Sequence, residues 1–183
     1  MDFFETKVRT GFGPVRIIWA EARTGPVVMR ITLPGDRRSG TGGSIRTLSA
    51  VSGDDMQIRV LAAGVRSFLS GYDIAFDIGI LGLDRCSPFQ RSVLIAEYGI
   101  PRGYVSTYGR IAARIGHATG ARAVGNALAT NPFPIVIPCH RALRSDGSLG
   151  GFQGGPELKA ELLRMEGIRF RKDGRAIQEQ VWY

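Results

Sequence analysis

The 183-residue sequence has very few of the residues that build metal sites and disulfide frameworks. Its cysteines are Cys86 and Cys139 and its histidines are His117 and His140, so it could form at most one disulfide and lacks the thiols of a cysteine-rich zinc site. No apolar run approaches the ~18 residues that a membrane helix needs, and the N-terminus lacks the pattern of a signal peptide. We therefore expect no metal, no membrane association and a cytoplasmic location.

Acidic residues are scarce in the second half of the chain. The whole sequence carries 24 Lys and Arg against 16 Asp and Glu, and residues 86–183 hold 13 of the basic but 7 of the acidic side chains. Between Ser87 and Asn131 the only acidic residue is Glu97, against five arginines. A surface of one sign suits a phosphate backbone, because each neutralised phosphate releases condensed counterions. The charge alone is equally compatible with an arginine-rich surface that binds nothing.

The composition is otherwise that of a folded protein. Hydrophobic residues make up 44% and charged residues 22%, which excludes disorder as the main state, and the length suits one or two domains. A change of pattern near residue 85 predicts an α/β domain over 1–85, a mainly α domain over 86–170 and a C-terminal tail over 171–183.

The first half has the pattern of strands followed by a helix. Residues 15–22 and 27–33 are Val- and Ile-rich runs on either side of a Gly-Pro turn, which predicts an antiparallel hairpin. Apolar residues at helical spacing from 54 to 71 predict a helix, and alternation over 72–81 predicts another strand. The polar, glycine-rich stretch 35–44 predicts a mobile surface loop.

The second half has the pattern of short helices. Ser87, with Pro88 after it, predicts a helix start, and two further short helices are expected between 106 and 116 and between 119 and 131. Two short helices joined by a few residues that include Gly are typical of a helix-turn-helix, although such pairs also occur in proteins that never contact DNA. A last helix is expected from 154 to Gly167.

The segment 131–141 places a thiol beside a histidine. A cysteine attacks as its thiolate, and a neighbouring base or imidazolium lowers its pKa from a free value of about 8.5. Because adjacent residues of an extended chain point apart, His140 must reach Cys139 through a bend or a bridging water, and a third group must orient it. Without such activation, Cys139 would be an inert buried thiol.

Glu166 is the candidate for that third group. It lies four residues after Leu162, in the row of the last helix that faces the core, and in the last turn, where the helix dipole disfavours an anion. A carboxylate so placed indicates a partner, and His140 is the chemically useful one. Periodicity alone also allows Glu166 to turn into water at a frayed helix end.

An ordered set of short motifs resembles one known family. The motifs are Ser-Pro-Phe-Gln-Arg at 87–91, Ile-Pro-Arg-Gly at 100–103, Ser-Thr-Tyr-Gly at 106–109, Ala-Arg-Ala-Val-Gly at 121–125, Asn-Pro at 131–132, Ile-Pro-Cys-His-Arg at 137–141 and Gly-Gly at 154–155. Together they resemble the O6-alkylguanine-DNA alkyltransferases, also called methylated-DNA–protein-cysteine methyltransferases, over about half of the chain. A lone Pro-Cys pair would be weak evidence for this resemblance, whereas the whole ordered set of motifs is specific evidence for it.

The resemblance implies an activity and the residues that carry it. It implies single-turnover, stoichiometric DNA repair, in which an alkyl group moves from O6-alkylguanine, with O4-alkylthymine as a further candidate lesion, to an internal cysteine without a cofactor. By matching position Cys139 is the acceptor, His140 is the base that acts through water, Glu166 orients His140, and Asn131 ties the active-site turn together. Tyr108 is implied to contact the extruded nucleotide and to help guanine leave as a neutral base.

The family also implies how the chain meets DNA. Its helix-turn-helix docks in the minor groove of double-stranded DNA, the damaged nucleotide is flipped out, and Arg122 takes the place of the base in the stack. The expected DNA contacts are Ser106, Thr107, Tyr108, Arg110, Ala121, Arg122, Gly125, Asn126, Ala129 and Arg141. The implied fold is a ribonuclease H-like N-terminal domain, with a small antiparallel sheet and a helix, followed by a mainly α, winged-helix-like domain. The protein is expected to be a monomer, and nucleoid-associated in a prokaryote.

Three other functions share parts of this pattern. Alkyltransferase-like proteins bind the lesion as sensors but lack the acceptor, and Cys139 argues against that alternative. A Cys-His hydrolase is disfavoured because the two residues are adjacent in an arginine-rich context. A zinc nucleobase deaminase would need a second cysteine at 142, where the chain has Ala142. Phe152, where many relatives have Tyr, leaves the lesion preference open, and Cys86 has no matching role.

Overall fold

The strands of the first half form one sheet in the order β3-β2-β1-β4. In this computed structural model, which describes residues 3–36, 45–47, 55–177 and 179–183, β1 (Phe3–Thr10), β2 (Gly13–Ala22) and β3 (Gly25–Thr32) are antiparallel neighbours, and β4 (Ile45–Thr47) lies parallel to β1. The predicted hairpin is confirmed as β2 and β3. Most of the predicted 35–44 loop lies outside the described residues.

Strand β1 was not predicted because its sequence alternates poorly. Glu5 and Val8 are its buried residues, so apolar periodicity on this strand is weak. Its place is set by the full ladder that it forms with β2, from Phe3 opposite Ala20 to Thr10 opposite Gly13. Gly13 adopts a φ of 109°, which a residue with a side chain rarely does, and this allows the tight connection between the two strands.

Helix α1 (Met56–Leu69) follows the predicted apolar period. Asp55 caps it, since its Oδ1 accepts hydrogen bonds from the backbone N–H of Gln57 at 2.8 Å and of Ile58 at 3.1 Å. Its buried face consists of Ile58, Leu61, Val65, Phe68 and Leu69. The predicted start at residue 54 lies outside the described residues.

The strand predicted over 72–81 is wrong. Phe76 is buried, as the alternation requires, but within this stretch pairing is limited to a bridge between Leu81 and Val28. The Asp77 side chain accepts a hydrogen bond from the Gly79 N–H at 2.8 Å. This local turn competes with a strand ladder, because it gives the backbone another partner.

Short helices dominate the second half, as predicted. They are α2 (Pro88–Tyr98), α3 (Tyr108–Arg114), α4 (Ala121–Ala129) and α5 (Gly155–Met165), with the two-stranded parallel pair β5 (Ser106–Thr107) and β6 (Ala142–Leu143). Ser87 caps α2 by accepting from the Gln90 N–H at 3.2 Å. The Gln90 side chain donates to Oγ1 of Thr130 at 3.0 Å, so it joins α2 to the end of α4.

The chain divides into two compact units. One comprises Met1–Leu83 with Pro132–Val136, and the other comprises Asp84–Asn131 with Ile137–Tyr183. Residues 171–183 therefore belong to the second unit rather than forming a separate tail. In that unit the Trp182 N–H donates to the Val105 carbonyl at 2.8 Å, and Ala176 is buried in the same apolar cluster as Val105.

Two larger features are absent from the residues that the structure describes. None of their helices has the length and apolar character that crossing a membrane requires. Nor do any three or more of their His, Cys, Asp and Glu side chains group as a metal ion would need.

Replacing Asp55 tests the cap of α1. Asp55→Ala removes the acceptor for two N–H groups and is expected to lower the free energy of unfolding by about 1 kcal/mol, whereas Asp55→Asn keeps an acceptor and should cost much less. Urea unfolding followed by circular dichroism measures both changes. Equal losses in the two variants would contradict the capping role.

Candidate active site and nucleic-acid interface

Cys139 opens a single 3-10 turn, Cys139–Arg141, in the interior of the second unit. Its side chain is buried, with 4% of the residue exposed. The turn is a bend of the kind that the adjacent Cys139 and His140 require, and both residues are buried in it. Asn131 ties the preceding segment together, because its Nδ2 donates to the carbonyl of Ile137 at 3.1 Å.

The Glu166 carboxylate holds two neighbouring side chains at once. Nε2 of His140 lies 2.9 Å from Oε1 of Glu166, and both side chains are fully buried. Arg141 donates from Nε to Oε2 at 2.9 Å and from Nη2 to Oε1 at 2.8 Å. Glu166 follows the last turn of α5, where the helix dipole disfavours an anion, and this forked contact with Arg141 offsets the disadvantage.

These contacts fix the charge of Glu166 and of His140. Burial alone would raise the pKa of Glu166, but His140 and Arg141 lower that pKa to about 2, so the carboxylate is ionised at neutral pH. Burial lowers the pKa of His140, although Glu166 acts in the opposite direction. The lowered pKa favours the neutral imidazole. A neutral His140 that faces a carboxylate through Nε2 carries its proton there, and Nδ1, also buried, is then the basic nitrogen.

The thiol of Cys139 is neutral near pH 7. Burial raises the pKa of Cys139 to about 12, and a hydrogen bond from Asn131 acts in the opposite direction. Glu97 raises this pKa further and Lys159 lowers it. The thiol must therefore lose its proton during a reaction rather than before it.

Sequence reasoning did not single out Glu97 and Lys159 as site residues. Both are fully buried and lie close enough to Cys139 to act on its pKa. Lys159 donates from Nζ to the carbonyl of Ala142 at 2.7 Å. A signal was present for Lys159, because it precedes Leu162 by three residues and therefore shares the apolar row of α5.

A groove of about 730 Å³ lies at the surface of the second unit. It is lined by the start of α3, by one face of α4 and by a loop after β6. Of the predicted DNA contacts it gathers Thr107, Tyr108, Ala121, Arg122, Gly125 and Ala129; residues that were not predicted are Gly109, Arg144, Ser145, Asp146, Gly150 and Gly151.

Gly150 gives the groove its shape beside Tyr108. It has a φ of 66°, and a Cβ at this position would lie 2.5 Å from the Tyr108 hydroxyl oxygen. A side chain there would displace the tyrosine ring, so the close approach requires glycine.

Four predicted DNA contacts do not line the groove. Asn126 is exposed on α4, and Arg110, also exposed, donates to the carbonyl of Tyr183. Ser106 is fully buried and donates to the Trp182 carbonyl at 2.8 Å, while Arg141, 7% exposed, is held by Glu166. The prediction of direct DNA contact therefore disagrees with the placement of Ser106 and Arg141, because each is turned inward to a buried partner.

Glu166→Gln tests the central carboxylate. It leaves the buried Arg141 without an ionised partner and is expected to cost roughly 3 kcal/mol of unfolding free energy at pH 7. Because the pKa of Glu166 is lowered from 4.5 to about 2, the difference from wild type should be constant above pH 5 and shrink as the pH falls from 4.5 towards 2.

Urea unfolding between pH 2.5 and 7 measures this difference. Glu161→Gln, at an exposed position of the same helix, is the control. A difference that persists undiminished at pH 2.5 would show that the charge of Glu166 is not what stabilises the site.

Comparison with known proteins places the chain in a family. A family profile described as "6-O-methylguanine DNA methyltransferase, DNA binding domain" matches residues 88–168. A methylated-DNA–protein-cysteine methyltransferase of Methanothermobacter thermautotrophicus is 45% identical over 124 residues, which are 68% of this chain and 69% of that protein. One from Salmonella typhimurium is 49% identical over 81 residues, which are 44% of this chain and 47% of that protein.

A solved structure agrees along most of the chain. The crystal structure of Mycobacterium tuberculosis OGT in complex with DNA superposes with a TM-score of 0.69 at 27% identity and covers 91% of this chain and 92% of that one. The shared antiparallel sheet and helices, the matched domain and the identity to the archaeal relative agree with one another. The chain belongs to the methylated-DNA–protein-cysteine methyltransferase family.

Proposed function

We propose that the protein repairs DNA by moving the alkyl group of an O6-alkylguanine in double-stranded DNA to Cys139, once per molecule. The observation that carries the proposal is the buried array in which the Glu166 carboxylate orients His140, the residue next to Cys139. A lone buried cysteine would need no such array. The family membership supports the same reaction.

The proposed transfer balances without a cofactor. A bond forms between Sγ of Cys139 and the alkyl carbon while the bond from that carbon to O6 breaks. Nδ1 of His140 takes the thiol proton through a water, and the departing guanine takes up one proton, so it leaves neutral. The resulting thioether has no proton to lose and its carbon–sulfur bond is stable, which makes the reaction a single turnover.

Tyr108 is suited to help guanine leave by donating a hydrogen bond to it from its hydroxyl group. Burial raises its pKa to about 12, and Glu97 and Cys139 add to that effect, so the hydroxyl keeps its proton at neutral pH. It lines the groove next to Gly150. The thiol loses one proton to His140 and guanine gains one, so the protons balance while Tyr108 keeps its own.

The groove and the helix pair support the proposed mode of DNA binding. We assign α3 and α4 to a winged-helix-type helix-turn-helix that binds the minor groove, and the N-terminal sheet with α1 to a ribonuclease H-like domain. Arg122 is exposed at the start of α4 on the rim of the groove. There it can occupy the gap left by a flipped nucleotide and keep its charge near phosphate. The protein would act as a monomer in the cytoplasm.

Mass spectrometry tests the transfer directly. After incubation with duplex DNA that contains O6-methylguanine, the intact protein should gain one methyl group, located on the peptide with Cys139. The peptide with Cys86 is the internal control and should stay unmodified. Tight binding with an unchanged mass would instead identify a lesion sensor.

Arg122→Ala tests nucleotide flipping. Losing the side chain that offsets a flipping cost of a few kcal/mol should slow transfer from duplex DNA by roughly 30-fold. Transfer from free O6-benzylguanine, which needs no flipping, should change less than about twofold. Single-turnover rates measure both, with Arg66→Ala, an exposed arginine of α1, as the control. Equal slowing on both substrates would refute the flipping role.

A further inference from the structure

Glu97 is a buried acid that the proposed reaction does not use. It lies on α2 and is the only acidic residue in the sequence between Ser87 and Asn131. It is fully buried, and neither of its carboxyl oxygens accepts a hydrogen bond from any residue that the structure describes. An ionised carboxylate left in this state is costly, because it has lost water without gaining a donor.

The groups that face Glu97 come from three other elements. Lys159 of α5 and Arg141 of the 3-10 turn are the cations that interact with it. A negative charge on Glu97 acts unfavourably on the thiolate of Cys139 and on the phenolate of Tyr108. Glu97 is therefore part of the same buried cluster as the acceptor thiol.

Arg141 and Lys159 differ in the contacts that they already make with other groups. Arg141 makes its forked contact with Glu166. Lys159 donates to the Ala142 carbonyl at 2.7 Å, and its Nζ lies 6.0 Å from the centre of the Tyr108 ring. Lys159 also acts favourably on a thiolate at Cys139. Its effect on the thiol depends on whether the neighbouring acid carries a charge.

We propose that Glu97 is held as a neutral carboxylic acid in this cluster and, as a positioning residue, leaves the positive charge of Lys159 to act on Cys139 during alkyl transfer. An ionised Glu97 would cancel that charge and would itself repel the forming thiolate. The kinetic part of this inference rests on the proposed function, whereas the protonation of Glu97 does not.

Burial supports this assignment of charges. It raises the pKa of Glu97 to about 8 although Lys159 and Arg141 oppose the rise, and it lowers the pKa of Lys159 to about 8. Near pH 7 the acid is then neutral and the amine is charged. Above pH 8 the acid gains a negative charge and the amine loses its positive charge, and both changes disfavour the thiolate.

Glu97→Gln tests the protonation state without DNA. The amide has nearly the shape of the neutral acid but cannot ionise. Since the pKa of Glu97 is raised from 4.5 to about 8 on folding, wild type should lose stability relative to this variant as the pH rises from 4.5 to 8, and the difference should level off above 8. The variant should therefore melt several degrees above wild type at pH 8 and closer to it at pH 5.

Thermal unfolding across this pH range decides the point, with Glu161→Gln as a matched control at an exposed site. A variant that melts below wild type at every pH would overturn the inference, because an ionised Glu97 in a stabilising ion pair predicts that result. A difference in melting temperature between the variant and wild type that is the same at pH 5 and at pH 8 would also overturn the inference.

Thiol reactivity tests the effect on Cys139. Iodoacetamide modification of Cys139, located by mass spectrometry, and methyl transfer from duplex DNA should both proceed within about twofold of wild type in Glu97→Gln at pH 6.5. At pH 9 the variant should be about tenfold faster, equivalent to a thiol pKa lower by about one unit. Superimposable pH profiles would overturn the inference. The expected iodoacetamide profile without methyl transfer would overturn the proposed function but support the neutral state of Glu97 and its effect on the thiol.

Infrared spectroscopy keeps the test valid if the variant does not fold. Wild-type protein with isotope-labelled glutamate should show a protonated carboxyl band at pH 6.5 that disappears above pH 8. Glu166, whose pKa is lowered, would not contribute to this band. Absence of the band at pH 6.5 would show that Glu97 is ionised and would overturn the inference.

Discussion

The buried carboxylate of Glu166 is the interaction on which the rest of the site depends. It binds His140 through one oxygen and Arg141 through both, and all three groups are buried. Burial alone would raise the pKa of Glu166, and its contacts with His140 and Arg141 lower that pKa, so these partners favour the ionised state. In return it fixes the protonated nitrogen of His140 and draws Arg141 inward. The same contact joins the 3-10 turn that carries Cys139 to the end of α5, so geometry and protonation are set together.

The elements that the sequence predicts correctly are those with local signals. Ser87 caps α2, apolar residues of α1 recur at helical spacing, and a turn at Arg23 and Thr24 joins β2 to β3, which begins with Gly25 and Pro26. Strand β1 has no such signal, because its position comes from pairing with β2 rather than from its own alternation. The 72–81 stretch fails for the opposite reason: it alternates, yet the Asp77 turn supplies a local hydrogen bond in place of a ladder.

The site shows the same division between local and tertiary information. Motif spacing and resemblance indicate Cys139, His140 and Asn131 as candidate site residues, and the helix row indicates Glu166. Neither kind of signal gives the direction of a side chain. Ser106 and Arg141 both stand in matching motifs, but each side chain is turned inward by a partner distant in sequence. Their predicted DNA contacts therefore disagree with the structure. Charge counting finds Glu97 as an exception among arginines, but its burial and its interaction with Lys159 depend on tertiary packing.

Burial also connects the chemistry with the way DNA must be presented. Cys139 is 4% exposed, and guanine O6 is paired inside a duplex, so the two atoms cannot meet while the base stays stacked. One of them has to move, and Cys139 is fixed in a turn that Glu166 and Asn131 hold in place. The proposed reaction therefore requires the nucleotide to move, and the groove that Tyr108 and Arg122 line is the place that we propose for it. Because burial raises the pKa of the Cys139 thiol to about 12, the thiol is neutral near pH 7 and reacts slowly with other electrophiles.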